Sequence, residues 1–149
     1  MQKIDVTIAR LRLLLADVAA KEEQYGAMQR QFRDQLRKAI EYSVYGDAPL
    51  DGTLGVMNEV QQRIGQSEAA LRDLKLVRAK AEKELESLQL TKRIEAAKKE
   101  LQDLLARQSE LERDGALGQA GQHLGEQIHR LRQQINEASE QAAKTLNGR

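Results

Sequence analysis

The fold is decided by residues 57–111, MNEVQQRIGQSEAALRDLKLVRAKAEKELESLQLTKRIEAAKKELQDLLARQSEL, where apolar residues recur at helical spacing and no proline interrupts them. Such spacing places one apolar row along a single helix. The row is longer than the helices of most compact domains and is typical of a coiled-coil seam. Its members are Met57, Val60, Ile64, Leu71, Leu74, Ala81, Leu85, Leu88, Ile94, Ala97, Leu101, Leu104 and Leu111. We therefore predict one long central helix.

A second apolar row precedes this helix and predicts a first helix over residues 3–44. Its members lie seven positions apart: Ile4, Leu11, Val18, Tyr25, Phe32 and Ala39. The helix is expected to end at Val44, because glycines, aspartates and Pro49 follow closely, and proline disfavours helical geometry at the residue before it. Thr53 is a suitable N-cap for the second helix, which we predict over residues 53–114. Residues 45–52 are then the hairpin tip.

Four glycines mark a second break, which we predict at residues 115–121: Gly115, Gly118, Gly121 and Gly125. The apolar row then resumes and gives a third helix over residues 117–146. The members of this row are Leu117, Leu124, Ile128, Leu131, Ile135, Ala138 and Ala142. The predicted fold is all-α: one elongated domain, residues 1–149, built as an extended antiparallel coiled coil whose long middle helix is flanked by the two outer ones.

Antiparallel folding fixes which residues should meet. The first turn sets residue i opposite about residue 98 minus i, and the second sets it opposite about 234 minus i, so Leu124 should lie near Leu111 and Leu146 near Leu88. The outer helices should therefore meet end to end around residues 88–94. The apolar spacing changes from seven to six there, which fits a change of partner, although an irregularity in a longer oligomeric coil would also produce it.

All four aromatic residues lie in the second half of the first helix. In the hairpin register Phe32 should lie near Gly65, and Tyr42 near Gly55. A glycine inside a helix costs about 1 kcal/mol relative to alanine, so a packing role would explain why two are tolerated. We predict that these glycines make room for the rings, and chance placement is the alternative.

The composition favours an extended helical protein over an enzyme or a nucleic-acid-binding domain. The chain has 32% charged and 3% aromatic residues, and its formal net charge is +1. Nucleic-acid-binding modules usually carry a basic excess, which is absent here. The chain has no cysteine, which excludes disulfides and thiolate zinc sites and fits a reducing compartment.

The sequence offers no set of residues typical of catalysis or of metal binding. His123 and His129 are six positions apart, about 240° around a helix, and cannot chelate one metal as an i, i+4 pair could. The glycine-rich residues 115–125 lack the lysine of a phosphate-binding loop. We predict that the protein is not an enzyme and uses no metal, cofactor or small-molecule substrate.

The sequence instead favours a structural or protein–protein interaction protein that acts as an oligomeric scaffold or adaptor. The predicted interaction tip consists of Tyr42, Tyr45, Asp47, Pro49 and Asp51. A candidate oligomer face consists of apolar residues that one antiparallel neighbour cannot wholly bury: Leu14, Ile40, Leu76, Val77, Leu90 and Leu105. The expected partners are other proteins and further copies of this chain, and nucleic acid is not expected.

Three alternative functions fit the same pattern. The first is a membrane-associated scaffold that polymerises on lipid, because the predicted hairpin resembles, in architecture alone, the phage-shock and thylakoid-vesicle family of membrane-remodelling proteins. The second is a regulatory hairpin, since Asp47 and Asp51 at its tip resemble the acidic tips of factors that enter the secondary channel of RNA polymerase. The third is an export stalk or secretion chaperone. The start of the chain does not resemble a signal peptide, so we expect a cytoplasmic protein.

Overall fold

The structure is a computed structural model that describes residues 2–113, 115 and 118–147, and within them it contains three helices and no strand. Helix α1 spans Lys3–Tyr45, α2 spans Leu50–Arg113 and α3 spans Gln119–Asn147. The all-α prediction with a long middle helix is confirmed, since α2 has 64 residues. The predicted boundaries at Asp114 and Leu117 lie outside the described residues, and coiled-coil geometry stays a prediction.

Helix α2 begins three residues before the predicted N-cap. The amide of Thr53 donates a hydrogen bond to the carbonyl oxygen of Pro49 at 3.1 Å, and the Thr53 hydroxyl donates to the same oxygen at 3.3 Å. Thr53 therefore lies inside the first turn, and its prediction as the N-cap is wrong. Proline is tolerated at position 49, because the residue before the first helical residue supplies a carbonyl oxygen to the helix and needs no amide hydrogen.

The connection between α1 and α2 is residues 46–49, shorter than the predicted tip of residues 45–52. The amide of Gly46 donates a hydrogen bond to the carbonyl oxygen of Tyr42 at 3.1 Å. A Cβ atom at position 46 would lie 2.8 Å from that oxygen, closer than real Cβ atoms come. The turn therefore requires glycine at this position.

The residues group into two compact units. Unit 1 comprises Met1–Ala9 and Lys83–Arg149, and unit 2 comprises Arg10–Glu82.

Within unit 2, helices α1 and α2 run antiparallel and form the predicted hairpin. Ser43 contacts Thr53 through a hydrogen bond between their hydroxyls, and Glu22 pairs with Arg78. Both pairs lie within two residues of the predicted register. The buried residues of this unit are Val18, Thr53, Val60, Ser67 and Ala81.

Within unit 1, the core forms between α2 and α3. Its buried residues are Leu104, Leu124, Ile128 and Leu131, and Ala97, Leu101, Leu105 and Leu111 pack against them. Leu124 and Leu111 thus share one cluster, as the register predicts. Asp5 of α1 pairs with Lys92 of α2 at 2.5 Å in the same unit. The predicted pair of Leu88 and Leu146 involves a side chain outside the described part of the structure.

Both α1 and α3 contact the stretch of α2 where they are predicted to meet, and the end-to-end contact itself stays a prediction. Leu90, Ile94 and Ala97 line a groove together with residues 131–141 of α3, whereas Lys92, in the same stretch, pairs with Asp5 of α1. The buried residues of α2 follow one another at seven or fourteen positions from Thr53 to Ala81, and the next, Leu90, comes after nine. The predicted change of spacing between Leu88 and Ile94 stays a prediction.

The prediction that Gly55 and Gly65 make room for aromatic rings is also wrong. A Cβ atom added at either glycine would meet no other atom within 4 Å. Phe32 instead shares a groove with Gln66 and Ser67. The register is therefore correct, but the glycines do not face the rings.

Candidate functional site

The described residues contain neither a membrane-spanning helix nor a metal-binding cluster. Across the described residues, no helix is long and apolar enough to cross a membrane. The same residues contain no group of three or more His, Asp or Glu side chains placed to hold a metal ion.

The structure places the five predicted tip residues around the turn between α1 and α2. The side chains of Tyr42 and Tyr45, in the last turn of α1, are 66% and 88% exposed. Asp47 and Pro49 lie in the connection, and both are exposed. Asp51 lies in the first turn of α2, where a carboxylate interacts favourably with the helix dipole. Asp51 therefore also stabilises the helix start.

Other apolar side chains extend the tip beyond the two tyrosines. Half of the twelve exposed large apolar residues in the described part of the chain fall within residues 42–56. They are Tyr42, Val44, Tyr45, Leu50, Leu54 and Val56, and we call this group the tip surface. The residues named for the predicted tip do not include the four aliphatic members. The row of buried residues on α2 passes through Thr53 and Val60, so Leu50, Leu54 and Val56 lie off it, whereas Val44 belongs to α1.

An open groove of about 490 Å³ crosses this surface. One wall comes from α1 and the other from the turn and the start of α2. The lining residues are Gln35, Lys38, Ala39, Tyr42, Ala48, Pro49, Gly52, Thr53 and Val56. Most of these side chains are apolar, and Lys38 supplies a positive charge. The groove therefore offers apolar contact with one cationic group.

Three hydrogen bonds hold the tip in one conformation. The Thr53 hydroxyl contacts both the Ser43 hydroxyl and the Pro49 carbonyl oxygen, and the Gly46 amide bonds to Tyr42. Thr53 is only 5% exposed, so its hydroxyl depends on these protein partners. The apolar side chains are thus carried by an ordered turn, which lowers the entropy cost of binding.

Charge changes sign along the hairpin beside the tip. Residues 39–62 contain four acidic residues and no basic one, whereas residues 30–38 contain four basic residues and one acidic one. The four basic residues are Arg30, Arg33, Arg37 and Lys38, and we call them the basic band. All four are exposed. The tip surface therefore lies next to a region of opposite charge on the same unit.

Asp34, the one acid within residues 30–38, is paired inside its own helix. Its carboxylate lies 2.6 Å from Arg37 and 3.2 Å from Lys38. The hydrogen bond from Arg37, followed by that from Lys38, lowers the pKa of Asp34 below its ordinary value of 3.8. The hydrogen bond to Asp34 also raises the pKa of Arg37.

Basic and apolar side chains share one outer row of α1. Arg30, Arg33, Arg37, Ile40 and Val44 follow one another at spacings of three and four residues, and all are exposed. Such spacing places them on one face of the helix. This row leads from the basic band directly to the tip surface.

Of the six residues of the candidate oligomer face, four are exposed and two are covered. Leu14, Ile40, Leu76 and Val77 lie in unit 2 and are 40%, 42%, 70% and 43% exposed. Leu90 is 4% exposed and Leu105 packs against the core of unit 1, so their assignment to an uncovered face is wrong. Leu105 packs against the core between α2 and α3, and Leu90 lies in the stretch of α2 that contacts both α1 and α3.

The tip can bind by apolar contact, by hydrogen bonds from tyrosine hydroxyls and by ion pairing. These are the interactions of a recognition surface, in which tyrosine contributes large contact area together with a polar group.

No protein-family model, curated protein or solved structure matches the chain.

Proposed function

We propose that this chain is a non-enzymatic interaction protein, a scaffold or adaptor that binds other protein surfaces through its hairpin tip. The observation that carries the proposal is the exposed apolar tip surface, in which Tyr45 leaves 88% of its area in water. Single exposed apolar residues are common on proteins, but a cluster of six around one turn is typical of a binding site. Tyrosines are also enriched among the residues that dominate binding energy.

The charge of the tip supports a protein partner over an anionic lipid surface. Residues 39–62 carry four carboxylates and no base, and anionic lipids would repel them. A protein surface with apolar side chains between lysines or arginines complements both properties of the tip. Binding to anionic vesicles, which the alternative of a lipid-bound scaffold predicts, would therefore count against this proposal.

Site-specific photo-crosslinking tests the proposal. A photoreactive amino acid at position 45 is expected to give discrete cross-linked proteins in cells that express the chain. The same amino acid at position 13 is the control, because Leu13 is 68% exposed but lies outside the tip surface. A purified protein identified in this way should bind the Tyr45→Gln variant at least about tenfold more weakly, and the Leu13→Gln variant with unchanged affinity.

Two outcomes would contradict the proposal. The first is equal cross-linking from positions 45 and 13. The second is co-sedimentation of the pure protein with anionic vesicles that is lost in the Tyr45→Gln variant, because this would assign the tip to lipid.

A further inference from the structure

The tip surface and the basic band form a self-complementary pair on one molecule. The tip surface combines apolar side chains with an acidic segment, and the band beside it offers basic side chains on an exposed helix row. Two equal surfaces of this kind match each other when one is turned end for end. Such pairing about a two-fold axis is the most frequent symmetry of protein oligomers.

We propose that the tip surface binds the basic band of a second copy of this chain, with the two hairpins antiparallel about a two-fold axis near Ile40. This inference rests on the proposed function, since it names the partner of the same surface. Ile40 lies in the exposed row of α1 and is 42% exposed. At the axis it meets its own equivalent.

The spacing of charges along the chain supports this axis. Arg33 lies seven positions before Ile40, and Asp47 lies seven positions after it. Arg33 is about 10 Å from the axis at the rise of a helix, and Asp47 lies in the turn, two residues beyond the end of α1 at Tyr45. An antiparallel second copy therefore brings its turn, with Asp47, towards Arg33 of the first, and the symmetry repeats this contact.

The apolar side chains follow the same arrangement. Val44 lies four positions after Ile40 and Arg37 lies three before it, so the aliphatic part of Arg37 covers Val44 of the second copy. Ile40 and Val44 give four exposed apolar side chains on this row in two copies. Because this apolar area is small, the dimer is expected to be weak and to depend on the charged groups.

A second copy explains more of the surface than a different basic protein does. A separate partner would use the acidic tip and leave the adjoining basic band without a role. The antiparallel copy uses both regions of each molecule at once. Complementary charges of this kind mainly determine orientation and specificity, which the apolar side chains alone would leave open.

A charge exchange between the two regions tests the proposal. Asp47→Lys with Asp51→Lys makes the tip basic beside a basic band. Arg33→Glu with Arg37→Glu makes the band acidic beside an acidic tip. Each double variant should dimerise at least about tenfold more weakly than the original chain, because like charges then face each other twice.

Mixing the two double variants in equal amounts should restore the dimer. The basic tip of one then meets the acidic band of the other, and the acidic tip of the second meets the basic band of the first. Molar mass from light scattering and sedimentation measures all four samples, and circular dichroism checks that each remains helical. The expected result is a dimer of the original chain, weakened self-association of each variant and recovery in the mixture.

The orientation has a separate test, which uses the absence of cysteine from the chain. A spin label at Gln24→Cys, an exposed position on α1, reports one distance between two copies. The antiparallel dimer places the labels about 50 Å apart, whereas parallel copies would place them within about 20 Å. The matched control Leu13→Gln should leave both the molar mass and this distance unchanged, because Leu13 lies outside the interface.

Any of three results overturns the inference: a monomer of the original chain at millimolar concentration, a mixture that recovers no dimer, or labels within about 20 Å. These results leave the proposed function open to its own test. A monomeric chain that still cross-links another protein from position 45 would retain the proposed function and disprove the second copy as partner.

Discussion

The Nζ atom of Lys92 lies 2.5 Å from Oδ1 of Asp5, so an ion pair joins α2 to α1 across 87 positions of the sequence. The Lys92 and Asp5 side chains are 55% and 30% exposed. Water and salt screen such a pair, so Lys92→Gln should lower the free energy of unfolding by only about 0.5 kcal/mol. Urea unfolding at low salt and at about 1 M salt measures this effect, which should vanish at the higher concentration. A loss that salt does not change would contradict the prediction.

The hydroxyl pair of Ser43 and Thr53 is expected to contribute more, because Thr53 is 5% exposed. Ser43→Ala leaves the Thr53 hydroxyl with its bond to the Pro49 carbonyl oxygen, and Thr53→Val removes the partner of the Ser43 hydroxyl. A double-mutant cycle from urea unfolding should give a coupling energy of about 1 kcal/mol. Thr91→Val is the control, since the hydroxyl of exposed Thr91 bonds only within its own helix, to Ser87. Additive effects of the two substitutions would show that the pair contributes nothing.

Leu90 and Leu76 give a matched comparison within α2, because they are 4% and 70% exposed. Leu90→Ala should lower the free energy of unfolding by about 2–3 kcal/mol, since it leaves a cavity where a buried side chain was. Leu76→Ala should change it by less than about 0.5 kcal/mol. Urea unfolding followed by circular dichroism measures both. Equal effects would mean that Leu90 is as uncovered as its sequence pattern predicts.

Much of the fold could be predicted from the sequence, because helical periodicity and short turns determine it together. The antiparallel contact of Glu22 with Arg78 follows from the position of the turn and the seven-residue row. The start of α2 could not be found in the same way. Thr53 has a side chain suited to an N-cap, but the helix already begins after Pro49, whose carbonyl oxygen accepts the first helical hydrogen bond. Which residue begins the helix depends on backbone geometry that the residue types alone do not reveal.

The candidate site was predictable in part. The tyrosines of the tip stand out because aromatic residues beside a turn have few neighbours to cover them. Leu50 and Val56 look like ordinary helix residues until the buried row is known to pass through Thr53. Leu90 shows the opposite error, since its sequence pattern does not reveal that it is only 4% exposed. Exposure depends on which face of a long helix each neighbour takes, and periodicity alone leaves that choice open.

Asp34 gives a prediction that depends on pH. Its pKa lies below the ordinary value of 3.8 because Arg37 and then Lys38 bond to its carboxylate. The folded pKa is below the unfolded one, so ionised Asp34 stabilises the folded state above the unfolded pKa, and this stabilisation is lost as the pH falls through the folded pKa. Arg37→Gln should raise the pKa of Asp34, measured by NMR titration of its carboxyl carbon, whereas Arg30→Gln should leave it unchanged. An ordinary pKa in the original chain would contradict the prediction.

The glycines should respond to alanine in opposite directions. Gly65 lies inside α2 with open space around its missing Cβ, so Gly65→Ala should stabilise the protein by about 0.5–1 kcal/mol. Gly115 has a φ of 67°, a left-handed conformation, so Gly115→Ala should destabilise it by about 1–2 kcal/mol. Thermal unfolding midpoints should therefore move up for the first and down for the second. Movement of both in the same direction would contradict these assignments.

The short turn between α1 and α2 also governs the order in which contacts form as the chain folds. The Ser43 and Thr53 hydroxyls close a loop across ten positions, whereas Asp5 and Lys92 close one across 87. Closing the longer loop first would cost about 2 kcal/mol more in chain entropy. Folding should therefore nucleate at the turn and proceed as a zipper along both helices. The residues that start this process would be the same ones that carry the tip surface, so recognition and nucleation would share a single segment.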